Sequence, residues 1–210
     1  DLRKTDQAAM ECIDPNRRGQ DRDNYIWIRD AEKNRLVVGT QARILYQDAA
    51  GRVKIALKFN DMVRKGEIGP VMLGRDHHDV SGTDSPFRET ANIKDGSNVM
   101  ADMATQCFAG NAARGMSLVA LHNGGGVGIG KAINGGFGLV LDGSKRVDEI
   151  IKSAMLWDVM GGVARRAWAR NPNSIETSIE FNKKYAGAGH ITLPYIPKDE
   201  LIDELVEKVF

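Results

Sequence analysis

Apolar positions along this chain follow two spacings in alternation, and that alternation lays out its elements. Ile55, Phe59, Met62 and Val63 stand at i, i+4, i+7 and i+8, one face of a helix. Gly66 follows, where a helix end favours a left-handed residue. Met100, Met103, Ala104, Cys107 and Phe108 repeat the spacing up to Gly115, and this stripe of methionine and cysteine reads as core packing. Val147, Ile150, Ile151, Ala154 and Met155 mark a further helix. Gly161-Gly162 is expected to interrupt it, ahead of a short basic segment with Arg165, Arg166 and Trp168. Between these helices lie short, nearly continuous apolar runs at 42–46, 70–73, 116–121 and 137–141, the pattern of strands buried on both faces. Strand, helix and strand over 42–73 read as a βαβ unit with a right-handed crossover.

The ends of the chain are more polar. Residues 1–34 read as a helical lead-in in two segments, parted by Asp14-Pro15 and a charged run to Asp23. Asp23 can cap a helix carrying Tyr25, Trp27, Ile28 and Ala31, with Trp27 in core or interface packing. Pro172 breaks the chain, 191–196 reads as a last strand, and Pro197 opens a terminal helix with Leu201, Leu205 and Val209 inward. The expected fold is α/β: a layered, mostly parallel sheet flanked by helices, with a lead-in at 1–34, a core at 35–170 and a closing strand and helix at 171–210. No internal repeat is visible.

At 210 residues the chain can bury a substantial core. Net charge is +1, with acids and bases interspersed, so no basic stripe points to nucleic acid. No run reaches the roughly 18 apolar residues of a membrane span. Cys12 and Cys107 lie too far apart in sequence to suggest a disulfide or zinc framework, which fits a reducing cytosol. The chain opens Asp1-Leu2-Arg3-Lys4 without Met or an apolar leader and reads as a piece of a longer polypeptide.

Two stretches carry candidate chemistry. Residues 74–90 (Gly74-Arg75-Asp76-His77-His78-Asp79-Val80-Ser81-Gly82-Thr83-Asp84-Ser85-Pro86-Phe87-Arg88-Glu89-Thr90) crowd carboxylates, imidazoles, guanidiniums and hydroxyls together without helix or strand periodicity. Directly after a strand, this reads either as an active-site loop or as a solvated turn region. His77 and His78 are adjacent and point to opposite sides of an extended segment, so no metal site is expected. The second stretch is His122-Asn123-Gly124-Gly125-Gly126-Val127-Gly128-Ile129-Gly130-Lys131. Its bare backbone could approach a ligand, or could form a tight turn in a crowded core. The dinucleotide fingerprint GxGxxG fits no frame of 124–136. A phosphate-binding GxxxxGK[ST] loop fails at Ala132, which lacks the hydroxyl for Mg²⁺.

Taken together, Gly74-Arg75-Asp76-His77-His78-Asp79, Ser85-Pro86-Phe87-Arg88-Glu89-Thr90 and His122-Asn123-Gly124-Gly125-Gly126-Val127-Gly128 resemble the C-terminal region of the urocanase (urocanate hydratase) family. Ala42-Arg43-Ile44, Phe59-Asn60-Asp61-Met62-Val63 and Gly136-Phe137-Gly138-Leu139-Val140-Leu141-Asp142-Gly143 are similar to it as well. The likeness runs from about Asn24 to Arg170 and leans towards the longer, eukaryote-type branch. It implies the C-terminal part of a cytosolic, homodimeric, multi-domain enzyme of histidine breakdown, which adds water to urocanate to give imidazolone propionate. It also implies tightly bound NAD⁺, acting as an electrophile and held mainly by an upstream NAD-binding domain.

Carried onto this chain, the resemblance makes Arg88 the partner of the substrate carboxylate, the bidentate role a guanidinium suits. Asp79 becomes the group that moves protons, with Asp76 as second catalytic carboxylate or loop organiser. His78 joins the substrate side, and Gly124, Gly125 and Gly126 line the cofactor. Many bacterial members carry an active-site cysteine where this chain has Leu45, so no catalytic cysteine is carried over. The contrasting expectation is a non-catalytic docking or dimerisation domain when the chain stands alone.

Overall fold

Asp48 starts the helix on which the first part of the molecule is built. In a computed structural model of the chain its carboxylate accepts from Gly51 N at 2.7 Å and caps α3 (Ala49–Arg64). The structure describes residues 1–17, 20–35, 43, 45, 47–75, 99–122, 134–187, 189–195 and 198–209. Around α3 lie α1 (Leu2–Cys12), α2 (Gln20–Arg29), β1 (Val71–Gly74), α4 (Val99–Ala113), β2 (Leu118–His122), β3 (Asn134–Leu141) and α5 (Lys145–Ile150). A π-helical turn, Ile151–Met155, joins α5 to α6 (Leu156–Trp168), and α7 (Pro172–Lys184) and α8 (Asp199–Val209) follow. The described residues fall into two units, 1–75 with 100–162, and 163–209.

In the first unit, β3 lies between β1 and β2 and is antiparallel to both. This corrects the expected mostly parallel sheet. β1 and β2 do run the same way, but β3 returns between them and occupies the place a parallel neighbour would need. Residues 43 and 45 carry no strand and 42, 44 and 46 lie outside the described residues, so the first strand of the expected βαβ unit is not found among them. β3 can thread this position because it is rich in glycine. A Cβ on Gly135 would stand 2.9 Å from the Ala104 carbonyl, and one on Gly138 would stand 3.1 Å from Met72 Cε.

Side chains alternate across the sheet. Phe137, Leu139 and Leu141 point from β3 into the core, where they cluster with Ile55, Ala56, Phe59 and Met62 of α3. Ile151, Ala154 and Met155 of the π turn and Ala8 and Ala9 of α1 complete that cluster. Each large side chain of this set contributes about 1.5–3 kcal/mol by leaving water. α2 joins it through Ile28, with Asn24 and, just past the helix end, Ala31 also buried at the same spacing. Trp27 therefore falls on the outer face and is 51% exposed, not in the core as one alternative had it. Asp23 sits inside the first turn of α2, not at its cap.

Gly161-Gly162 does not interrupt the helix; α6 continues through it to Trp168, taking in Arg165 and Arg166. The reason is a large neighbour. A Cβ on Gly161 would touch the Trp157 ring at 3.4 Å, and one on Gly110 of α4 would overlap that indole at 1.9 Å. Glycine in a helix interior costs about 1 kcal/mol relative to alanine. Here the two glycines leave room for an indole on which the Arg114 guanidinium also rests, 4.2 Å from the ring centroid.

Asn60, fully buried on α3, fastens the turn after β3. Its Nδ2 donates to Ser144 O at 3.0 Å and Asp148 Oδ1 at 2.7 Å, and its Oδ1 accepts from Gly143 N at 2.8 Å. Arg64 closes the same turn on Gly143 O at 2.7 Å and on Asp148. Gly143 has φ +84° and passes so near Arg64 that an added Cβ would lie 2.8 Å from its Cα.

In the second unit, Pro172 begins a helix where a break was expected. Asn171 caps α7 by accepting from Ser174 N at 3.0 Å, and Pro172 takes the first helical position. Residues 191–195 form no strand. Asn182 instead clamps Ile191 at both its N and its O, each at 2.8 Å, and so satisfies the backbone groups a sheet would have used. α8 forms as expected, yet Leu201, Leu205 and Val209 are 42%, 54% and 73% exposed, so that stripe faces outward. Spacing shows which residues share a face, not what covers it.

Asn60→Ala should lower unfolding free energy by about 2–4 kcal/mol, since it strands the buried Gly143 N–H and two partly buried acceptors. Gly143→Ala should cost more than about 1 kcal/mol through strain at positive φ. Urea denaturation of the chain measures both, and unchanged midpoints would mean that this turn is not a structural clasp.

Candidate active site

The residues singled out from the sequence, Asp76, His78, Asp79, Arg88, Gly124, Gly125 and Gly126, lie outside the described residues. What the structure does describe is how the chain runs up to them. β1 ends at Gly74 opposite Gly138, and Arg75 N extends the ladder by donating to Phe137 O at 3.2 Å. β2 ends at His122 opposite Asn134. Because β1 and β2 share a direction, residues 76–98 and 123–133 both follow strand ends aimed at the same edge of the sheet, the carboxyl-end position at which ligands gather in many sheet proteins.

Arg75 is the last described residue before Asp76, and it is held firmly. Its Nη1 donates to Asp158 Oδ2 at 2.6 Å and to the Asp158 carbonyl at 3.0 Å. Asp158 is 1% exposed. It occupies the next core-facing place after Ile151, Ala154 and Met155, so the apolar stripe of this helical stretch carries a carboxylate inward. Its other oxygen, Oδ1, accepts from Cys107 Sγ–H at 2.9 Å and from Asn111 Nδ2 at 3.0 Å. Cys107 and Asn111 stand one turn apart on α4, and Asn111 Nδ2 also reaches Cys107 Sγ at 3.3 Å. Arg52, in the first turn of α3, places Nη1 3.6 Å from Asp158 Oδ2 and donates from Nε to Gln47 O at 2.8 Å.

The carboxylate is thus saturated. A buried ion pair of this kind is strongly destabilised by loss of one partner, by about 3–5 kcal/mol, because the other charge is then left without compensation. Burial, and then the neighbouring Arg75 charge, lower the Arg52 pKa from its ordinary value. Burial pushes the Cys107 thiol well above the usual cysteine range, and the Asp158 charge and hydrogen bond push the same way. The thiol is therefore a donor, not a nucleophile. Asn111 Oδ1, Trp157 Nε1 and Gln47 Nε2 are buried without hydrogen-bond partners among the described residues, and they belong to the residues that build this network or adjoin it. Among the described residues no three His, Cys, Asp or Glu side chains gather as a metal site would require. With both carboxylate oxygens of Asp158 engaged, the network is built to hold elements in place.

Reading for periodicity passed over Asp158, Asn111, Arg52 and Arg75. A signal was present for two of them. Asp158 follows Ala154 and Met155 at i+4 and i+3, and Asn111 follows Ala104 and Cys107 at i+7 and i+4, so each is a polar residue in the phase of an apolar stripe. A polar residue so placed must find partners.

The thiols provide a check. In the folded chain Cys107 should resist a disulfide reagent such as DTNB at pH 8, with at most Cys12 reacting, and urea should expose the second thiol. Unfolded Cys107 ionises near its ordinary value of 9.0, whereas the folded thiol stays protonated. The unfolded state therefore binds fewer protons above that pH, and stability should fall as pH rises past about 9. Two thiols reacting at equal rates in the native state would contradict the network.

Comparison with known proteins fits this framework to a family. The urocanase C-terminal domain family matches residues 1–180. Urocanate hydratase of Mus musculus is 52% identical over 198 residues, covering 94% of this chain and 29% of that protein. A probable urocanate hydratase of Caenorhabditis elegans is 50% identical over 214 residues, covering 98% of this chain and 32% of that protein. Urocanate hydratase of Homo sapiens is 50% identical over 198 residues, with 94% and 29% covered. The chain spans about three tenths of the length of these relatives. With most of its residues matched, from the α1 lead-in through α7, the chain belongs to the urocanase C-terminal domain family.

Proposed function

We propose that the chain is the C-terminal portion of a urocanate hydratase, a hydro-lyase that adds water to urocanate and is completed by polypeptide upstream. The observation that carries this reading is the identity of about half, spread over nearly the whole chain, to proteins named for that activity. The direction of β1 and β2 supports it, since the charged segment and the glycine segment both follow strand ends at one sheet edge.

Arg88 pairs with the propenoate carboxylate of urocanate, for which a planar fork of donors is matched in shape and charge. Asp79 moves protons on and off the substrate, and Asp76 serves as the second carboxylate or orders the segment. His78 contacts the substrate. Gly124, Gly125 and Gly126 lie against NAD⁺, whose nicotinamide ring, when bound, supplies an electrophile. The upstream NAD-binding domain carries the rest of the dinucleotide. The two free thiols agree with a cytosolic enzyme, and a homodimer is part of the same reading. Among the described residues no helix is long and apolar enough to cross a membrane.

The ultraviolet band of urocanate tests the reading directly. The parent enzyme should bleach it. The isolated chain with NAD⁺ should not, and adding the upstream domain should restore activity. Bleaching by the isolated chain would make it autonomous; a parent with no effect on the band would end the assignment. In the parent, Arg88→Ala should raise KM and lower kcat/KM by about 2–4 kcal/mol, the cost of leaving a buried charge without its partner. Unchanged kinetics would remove Arg88 from the substrate site.

A further inference from the structure

Residues 76–98 lie between two described elements, Arg75 at the end of β1 and the helix α4. Both are tied to one side chain. Asp158 Oδ2 takes Arg75 Nη1 at 2.6 Å, and Asp158 Oδ1 takes Cys107 and Asn111 of α4 at 2.9 and 3.0 Å. A third tie runs through Arg52, which faces the same carboxylate at 3.6 Å and holds Gln47 O at 2.8 Å. The end of β1, which leads to Asp76, therefore meets α4 and the start of α3 on a carboxylate that is itself withdrawn from solvent.

From this convergence we infer that Asp158 and Arg75 are positioning residues of the hydration reaction, fixing the end of β1 from which Asp76 follows. The inference rests on the urocanate-hydratase reading. Arg75 is one residue from Asp76, so a shift of its guanidinium moves the take-off of that segment directly. Nη1 alone meets both a side-chain and a main-chain oxygen of Asp158, at 2.6 and 3.0 Å. Lysine would keep the charge but carry it on a shorter stem that falls short of the Nη1 position. The glycine segment follows β2, and β2 is no part of this tie, so the cofactor side should be spared.

The experiment uses the parent enzyme and three variants: Arg75→Lys, Asp158→Asn and, as a stability control in the core away from the network, Met62→Ala. For Arg75→Lys and Asp158→Asn, urocanate KM should rise and kcat fall together, lowering kcat/KM about 10–100-fold, the usual effect of misplacing reacting groups by around an ångström. Bound NAD⁺, released by denaturation and counted, should match wild type. The double variant should be no worse than the poorer single, because the two residues act through one contact. Met62→Ala should lose as much Tm or more while keeping kcat/KM within about twofold. Arg75→Lys retains the cation and so reports even where Asp158→Asn folds poorly. An active parent whose Arg75→Lys variant keeps kcat/KM within about twofold, or falls no further than Met62→Ala at equal Tm loss, overturns this inference alone. Loss of NAD⁺ in step with activity overturns it too, since the damage would then be general. A parent that does not turn over urocanate overturns the functional reading, and this one falls with it.

Discussion

One buried carboxylate ties together β1, α4 and the start of α3. Asp158 is taken out of water and given back three hydrogen-bond donors, the Arg75 guanidinium, a thiol and an amide, with the Arg52 guanidinium alongside at 3.6 Å. A buried ionic group is tolerable only when it is well paired. That requirement dictates the geometry around it. α4 must bring Cys107 and Asn111 to one oxygen, β1 must end where Arg75 can reach the other, and α3 must begin where Arg52 stands close by. The apolar core supplies most of the stabilisation, but it would tolerate small slips of one element past another. A directional hydrogen-bond network is less forgiving.

The second clasp, around Asn60, works in the same manner at the far end of β3. It joins α3 to the turn at Gly143 and to Asp148 of α5. Between them the two clasps fix β3 lengthwise: Phe137 O receives Arg75 N near its middle, and the Gly143 turn is held just past its end. Glycines then let neighbours approach. Gly135 admits the backbone of α4, and Gly110 admits the Trp157 indole. Small residues and buried amides thus account for close contacts that aliphatic packing alone could not make.

Much of the local structure was legible in the chain, because local structure answers to local spacing. The stripe through Ile55 and Met62 is α3, the stripe through Ala104 and Cys107 is α4, and three of the four short apolar runs became β1, β2 and β3 within two or three residues. Strand direction was not legible. It depends on which strand returns beside which, and no property of residues 116–141 alone says that β3 will pass between its neighbours. Gly161-Gly162 misled for a related reason, since its role is set by Trp157 and not by helix propensity. Asp158 was passed over because an apolar stripe was read for its apolar members. The candidate site residues were visible only through family likeness, for their chemistry lies in irregular segments where no periodicity constrains them.

The members of the Asp158 network are distant in sequence: Arg75 lies 83 residues before it and Cys107 lies 51 before it. During synthesis, neither β1 nor α4 can receive its final anchor until the chain has emerged past residue 158. Contacts of such long range form late and slowly compared with helices. The nascent protein therefore leaves β1 and α4 without their shared anchor until residue 158, late in the chain, has emerged.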